Sequence, residues 1–180
     1  MAETIKQTEG VPTSWPDHGL TLSTAAAALD EAMLWQRIEA YIVHRWSART
    51  VAWIVEGPGG WVPPLTPATI STVEVWDCED DWTAVELSPT PLGGFCLPSC
   101  KAYRFTGEVG GGDLPEVVGE AFRRLAEFMA ATPGKPGVMS ESVTAGSVSI
   151  AHRRSPSWMA DALRNSGAAD LLRPYRRTTA

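Results

Sequence analysis

The sequence predicts an α+β fold that is mainly α: a helical bundle with a small antiparallel β insertion and a C-terminal docking tail. Three observations predict it. Leu34, Ile38, Ile42 and Trp46 step by four residues, and Val118, Phe122, Leu125 and Met129 repeat at three and four, so two stretches carry the apolar stripe of a helix. Between them, residues 50–106 hold short β-prone runs separated by glycine and proline punctuation. The chain closes on "SGAADLLRPYRR" (166–177), which mixes leucines, a proline and a tyrosine with arginines.

The elements follow in order. Residues 1–20 contain Gly10, Pro12, Pro16 and Gly19 and read as an N-terminal arm without regular structure. Residues 21–132 read as the main domain. Its first helix begins at Ser23 or Thr24, either of which can cap it, and runs to about residue 47 with Tyr41 beside the stripe. The alanines at 25–28 fit a separate short turn equally well. The β insertion at about 50–106 comprises "TVAWIV", "TISTVEVWD", "WTAVEL" and "AYRFTG", and "VEVWDCEDDWTAVEL" reads as a hairpin with an acidic tip. The second helix is capped at Asp113, with Pro115 in its first turn and Ala121 beside the stripe, and stops at Pro133 and Gly134. Residues 133–180 read as a linker, a loosely alternating extended stretch "GVMSESVTAGSVSIAH", a short helix and the tail. That short helix takes Ser155 as its cap, Pro156 at its start and Gly167 at its end.

Charge is distributed unevenly. The chain of 180 residues has a net charge of −6. Residues 152–180 carry six arginines against Asp161 and Asp170, a net +4, which leaves −10 on residues 1–151. An acidic body repels nucleic acid and argues against tight non-specific DNA binding. No apolar run is long enough to span a membrane, and the N-terminus shows no secretion signal. Cys78, Cys96 and Cys100 are an odd number and read as free thiols in a reducing compartment.

No constellation points to catalysis, a cofactor or a metal. Cys96 and Cys100, with Cys78 and a distant His44, have spacing allowed for zinc but lack a second close pair. "DCEDD" (77–81) lacks the ligand order and glycine of a calcium loop and reads as a solvated tip. "EGPGG" and "GEVGGGD" lack the lysine of a phosphate loop and read as turns. His18, His44 and His152 stand beside no recognisable nucleophile. What remains is contact chemistry. Leu171, Leu172 and Tyr175 suit pockets on a partner, while Arg173, Arg176 and Arg177 suit its carboxylates, and Pro174 belongs to the same docking segment. The eight tryptophans exceed what a small sheet needs for its core, so Trp61, Trp76 and Trp82 are candidates for contact with a neighbouring protein.

Several stretches, in order, resemble one family. "RIEAYIVHRWSART" leads into the β insertion. "YRFTGEVGGGDLPEVVGEAFRRLAEFMA" and "GVMSESVTAGSVSI" follow, and "WMADALRNSGAADLLRPYRR" is the most specific. Together they span roughly residues 30–177 and resemble the head–tail adaptor (connector) proteins of tailed double-stranded DNA phages, above all the version in gene transfer agents. The resemblance implies a helical bundle with a β insertion, assembled as a ring of typically twelve copies below the portal. Such a ring extends the DNA channel, passes DNA without specific binding and carries the stopper (head-closure) protein. It implies no enzymatic activity, no cofactor and no membrane. The expected location is the head–tail junction of a phage-like particle, after synthesis in the bacterial cytoplasm. Residues 167–177 would then dock on the portal or on an adjacent subunit, and Trp61, Trp76 and Trp82 would meet a neighbouring subunit or the stopper.

One tail alone is nearly neutral energetically. Burying Leu171, Leu172 and Tyr175 contributes ~2 kcal/mol each, against ~1 kcal/mol or more for ordering each of about seven residues. Many copies held side by side reinforce one another, so the sequence predicts a monomer or weak oligomer that becomes a ring on the portal. Two other classes remain: a nucleic-acid-binding accessory protein that uses its basic C-terminal tail, and a metal-dependent enzyme built on the cysteines or the acidic hairpin.

Overall fold

The computed structural model describes residues 2–77, 81–91, 93–131, 140–145, 148–153 and 159–176. The chain forms two compact units, and each is assembled from separated stretches. One comprises 1–16 and 43–113, the other 17–42 and 114–180.

The first unit corrects the expected fold class. Its centre is a five-stranded antiparallel sheet rather than a small insertion, and the described helices are too few and mostly too short for a mainly α bundle. The strands are β1 (Glu3–Glu9), β2 (Arg49–Glu56), β4 (Ala68–Asp77), β5 (Asp81–Ala84) and β7 (Ala102–Val109), in the order β1-β2-β7-β4-β5. A separate ribbon pairs β3 (Gly59–Trp61) with β6 (Phe95–Leu97).

Alternation fixes which side of the sheet is buried. Val51, Trp53 and Val55 on β2 stand opposite Gly107, Phe105 and Tyr103 on β7. Every fully buried residue of the five strands lies on this one face. Trp61 and Leu97 from the ribbon, with Leu65, complete the core. Trp61 stacks on Phe105 at 4.2 Å and meets Trp53 edge-on at 5.7 Å. Gly107 is required by close approach: a Cβ there would run into the carbonyl oxygen of Thr69, beside the register shift between Ile70 and Thr72.

Residues 3–9, expected to be irregular, form an edge strand. β1 supplies polar side chains to the core tryptophans: Trp53 Nε1 donates to Gln7 Oε1 and Trp61 Nε1 to Thr4 Oγ1, both at 2.8 Å. A buried indole N–H needs such a partner. At its end Glu9 binds Arg45, with Arg49 at 3.5 Å.

The second unit holds α1 (Thr24–Ala27), α2 (Glu31–Ile42), α3 (Glu116–Ala131), the hairpin β8 (Ser140–Ala145) and β9 (Val148–Arg153), α4 (Ala162–Asn165), α5 (Ala168–Leu171) and a 3₁₀ turn at Arg173–Tyr175. The first helix is therefore two. Asp30 accepts from the backbone N–H of Ala32 at 3.0 Å and starts α2 afresh. The helix also ends at Ile42, five residues short of the expected limit, because Val43 takes φ 60 and His44 bridges to Thr66. Leu34, Ile38 and Ile42 are buried as the stripe predicts. Trp46 is buried too, but off the helix and in the other unit.

The long helix α3 matches its stripe. Val118, Ala121, Phe122 and Leu125 are buried, and Met129 is half-buried. Phe122 stacks between His18 at 4.7 Å and Trp35 at 4.8 Å. Ser23 caps α1 through Ala26 and is itself held by Glu127 of α3, which accepts from its backbone N–H and its hydroxyl at 2.7 Å each. The expected hairpin over 73–87 is formed by β4 and β5, whose pairing runs from Glu74–Ala84 to Asp77–Asp81. Its tip at 78–80 lies outside the described residues, as do residues 132–139 with the expected linker, the expected cap Ser155, Pro156 at the start of the short helix, and Arg177.

Candidate interaction surfaces

The C-terminal segment is folded onto its own unit. Gly167, at φ 74, turns the chain from α4 into α5. The Ser166 hydroxyl then accepts from the N–H of Ala168 at 3.3 Å, and the N–H of Leu172 returns to the carbonyl of Ala168 at 3.1 Å. Ala162, Ala168 and Leu172 are buried, and α4 and α5 pack on α3. Burying Leu172 contributes about 2 kcal/mol, and that energy goes to this unit's own core. Pro174 suits the 3₁₀ turn, which needs few backbone donors.

This packing sorts the docking candidates by position. Leu172 has no exposed surface, while Leu171 and Tyr175 are half-buried. Arg173, Pro174 and Arg176 are exposed. The Arg176 guanidinium lies 4.8 Å over the ring of Tyr41. Arg37 donates to the backbone carbonyl of Met159, tying the start of the segment to α2. The sequence suggested a docking tail; the structure has a formed surface edged with arginine.

The three tryptophans separate in the same way. Trp61 is a core residue, 5% exposed. Trp76 and Trp82 are half-exposed cross-strand partners at the end of the β4–β5 hairpin, edge to face at 5.1 Å. They stand on the sheet face opposite the core, because Trp76 alternates with Val75 and Val73, which pack inward. Arg104 lies 4.5 Å over the ring of Trp82 and binds Glu74 at 2.6 Å, holding the Glu74 carboxyl below the usual carboxylate range. Asp77 and Asp81 flank the pair at the tip end; Lys101 stands 3.9 Å from Asp77. The stacked Arg104 was not foreseen. Its position opposite Glu74 in the register is the signal that finds it.

The residues considered for chemistry are scattered. Cys96 and Cys100 are exposed free thiols, Cys78 lies outside the described residues, and His152 lies on β9. His44 packs on Trp46 at 4.3 Å, and His18 stacks on Phe122 while its Nδ1 accepts from the N–H of Leu20. Among the described residues no three His, Cys, Asp or Glu side chains are grouped to hold a metal, and no helix is long and apolar enough to cross a membrane.

No protein-family profile matches the chain, and no curated protein does. Solved structures do. The chain is similar to a chain from the neck of an empty gene transfer agent particle computed with C6 symmetry, at 14% identity and a TM-score of 0.54, over 98% of this chain and 97% of that one. It is also similar to a chain from the virion of a native gene transfer agent particle, at 16% identity and a TM-score of 0.56, over 100% of this chain and 97% of that one. At these identities the likeness establishes the fold.

Proposed function

We propose that this chain is a structural head–tail adaptor of a phage-like or gene transfer agent particle. It forms a ring below the portal, extends the DNA channel and carries the stopper. The observation that carries this reading is the extent of the fold likeness: it runs over 98–100% of the chain, through both units, and the similar chains come from a particle neck and a virion. The order of the family-like stretches at 30–177 supports the same reading independently.

The physical properties fit a conduit. A body of −10 on residues 1–151, repeated around a ring, repels passing DNA instead of gripping it. A ring of twelve is compatible with the C6 symmetry of the similar neck, as six pairs. The role is structural, without catalysis or cofactor. The C-terminal surface edged by Arg173 and Arg176 serves as an assembly contact on the portal or an adjacent subunit, and the sequence adds Arg177 directly after it.

Electron microscopy of the full-length protein mixed with the matching portal ring tests the proposal. An added ring on the portal supports it. A portal that stays bare at saturating protein removes the adaptor reading, and DNA affinity as a function of salt then becomes the discriminating measurement.

A further inference from the structure

The five-stranded sheet is open along part of one side. β4 pairs with β7 from Ala68 to Val75, but with β5 only from Glu74 to Asp77, and the N–H of Val85 adds one bond to the carbonyl of Val73. Among the described residues no strand pairs with the other side of β4 over 68–72. This stretch reads "ATIST" and holds neither a charge nor a proline, the devices that keep an edge from pairing with another chain. The edge strand β1 does hold them, with Glu3, Lys6 and Glu9 along its length. Ser71 sits at the register shift between Ile70 and Thr72 and donates its hydroxyl to the carbonyl of Thr106, so 68–70 is the regular part of the open edge.

An apolar groove adjoins this edge. It encloses about 400 Å³ and is lined by Ala68 and Ile70 of the edge itself and by Val62, Leu65, Pro89 and Phe95. Ala68, Ile70 and Phe95 also pack on the core of the sheet unit, so the groove continues that core outward. The charges beside the edge are acidic. Glu108 neighbours Thr69 across the β4–β7 register, and Glu86 lines a surface cleft with Ser71 and Thr72. Both carboxylates are exposed, and neither has a partner among the described residues. The edge thus fits an extended segment with alternating apolar positions and positive charge.

The second unit carries such a segment. β8 and β9 pair only with each other, and a two-stranded hairpin is marginal in water without a third strand. Register puts Ser142 opposite Ala151, and both are exposed, as is Ser140 on the same face. The alternate positions of the hairpin are held by Val143, Ala145, Val148 and Ile150. β9 reads "VSIAHR" and ends on His152 and Arg153, with no acidic residue.

We infer that β9 of one copy adds to the open edge of β4, at 68–72, in the sheet of the next copy. This rests on the adaptor reading and names one contact between neighbours in its ring. Pairing in the antiparallel sense of the rest of the sheet brings positions 148 and 150 to the groove and the basic end of β9 to the Glu108 end of the edge. Edge and hairpin are different surfaces, so the contact is head-to-tail, the kind that closes into a ring when the rotation between copies permits. A few main-chain bonds are weak alone and gain strength from ring closure.

Cross-linking tests the contact. In full-length protein with Cys78→Ser, Cys96→Ser and Cys100→Ser, one copy carries Thr69→Cys and another Ala151→Cys, both at exposed positions. The two are mixed, at high concentration and on the portal ring, and treated with a short bis-maleimide; circular dichroism checks that each variant is folded. The heterodimer is expected at about tenfold or more the yield of a control pair, Thr8→Cys with Ala151→Cys, since Thr8 lies on the opposite edge of the sheet. Equal yields from the two pairs overturn the inference. So does a chain carrying both Thr69→Cys and Ala151→Cys that cross-links within itself while the mixture gives no heterodimer, because the hairpin then lies on its own copy's edge. If wild type completes rings on the portal but the 69–151 pair cross-links no better than the control, the contact is wrong and the adaptor reading stands. If the pair cross-links selectively at high concentration and wild type adds no ring to the portal, the contact stands and the adaptor reading has failed.

Discussion

The Glu9 carboxylate spans the Arg45 guanidinium, accepting from Nε at 2.8 Å and from Nη2 at 3.1 Å across 36 residues of sequence. Arg49 stands 3.5 Å away, and its guanidinium lies 5.6 Å from the centre of the Trp15 ring. The pair fastens the end of the edge strand to the chain entering β2. Burial alone would raise the Glu9 pKa. The hydrogen bond from Arg45, the charges of Arg45 and Arg49 and a hydrogen bond from Gln7 outweigh it, so the carboxyl titrates below its ordinary range.

Replacing Glu9 with alanine is expected to cost about 2 kcal/mol, since it leaves a largely buried guanidinium without its charged acceptor. Urea denaturation followed by tryptophan fluorescence measures this. Glu9→Gln, which retains one acceptor, should lie between the two. A loss below a few tenths of a kcal/mol for Glu9→Ala would mean that water replaces the carboxylate at no cost.

Acid should weaken the helical unit before it protonates ordinary surface carboxylates completely. Hydrogen bonds from Arg123 and then Arg124 lower the Glu120 pKa from 4.5 to about 2, against a smaller opposing effect of desolvation. Glu127 is lowered by the backbone N–H and hydroxyl of Ser23. Both folded pKa values lie below the unfolded ones, so their stabilisation is complete above about pH 4.5 and is lost as pH falls toward 2. Solvent screens the Glu120 pairs, which keeps their share under about 1 kcal/mol. Thermal melts between pH 6 and 2.5 should show a smaller acid decline for Glu120→Gln than for wild type, and an unchanged decline would refute the assignment.

Gly107→Ala is expected to disrupt the sheet, by about 3 kcal/mol or more, because the new methyl group meets backbone rather than a movable side chain. Hydrogen exchange would locate the damage. Faster exchange along β4 and β7, with α3 still protected, is the expected pattern.

Leu172→Ala and the triple change of Arg173, Arg176 and Arg177 to Glu should separate folding from assembly. The leucine is fully buried, so its truncation costs 2–5 kcal/mol of stability, an order-of-magnitude range for such sites. The arginine changes should leave the melting temperature within about 2 °C, because Arg173 and Arg176 are exposed, and reduce ring formation on the portal. Full ring formation by the triple variant would show that this surface is not an assembly contact.

Parts of this fold were legible in the sequence for physical reasons. The stripe Val118, Phe122, Leu125 shows through because α3 buries one face and wets the other. The β4–β5 hairpin shows through its β-branched and aromatic runs around an acidic turn. The strand "ETIKQTE" was hidden because its inward residues are Thr4, Gln7 and Glu9, which make hydrogen bonds and salt bridges rather than apolar contacts. Trp46 was misplaced because a spacing of four cannot reveal that Val43 leaves the helix with positive φ. At the surfaces, composition picked out Leu172 and Trp61 for their size, but size alone does not tell a contact residue from a core residue.

The interleaving of the two units sets an order on synthesis. Everything the sheet unit needs has been made by Asp113. The stripe of Leu34, Trp35, Ile38 and Ile42 is made early, yet the helix that carries Phe122 follows roughly 70 residues later. At about 5–20 residues per second the nascent chain carries that bare apolar helix for several seconds. During this interval it is open to chaperones and to wrong partners. Slower translation across 43–113 would lengthen that exposure, so codon choice in this stretch becomes a determinant of yield.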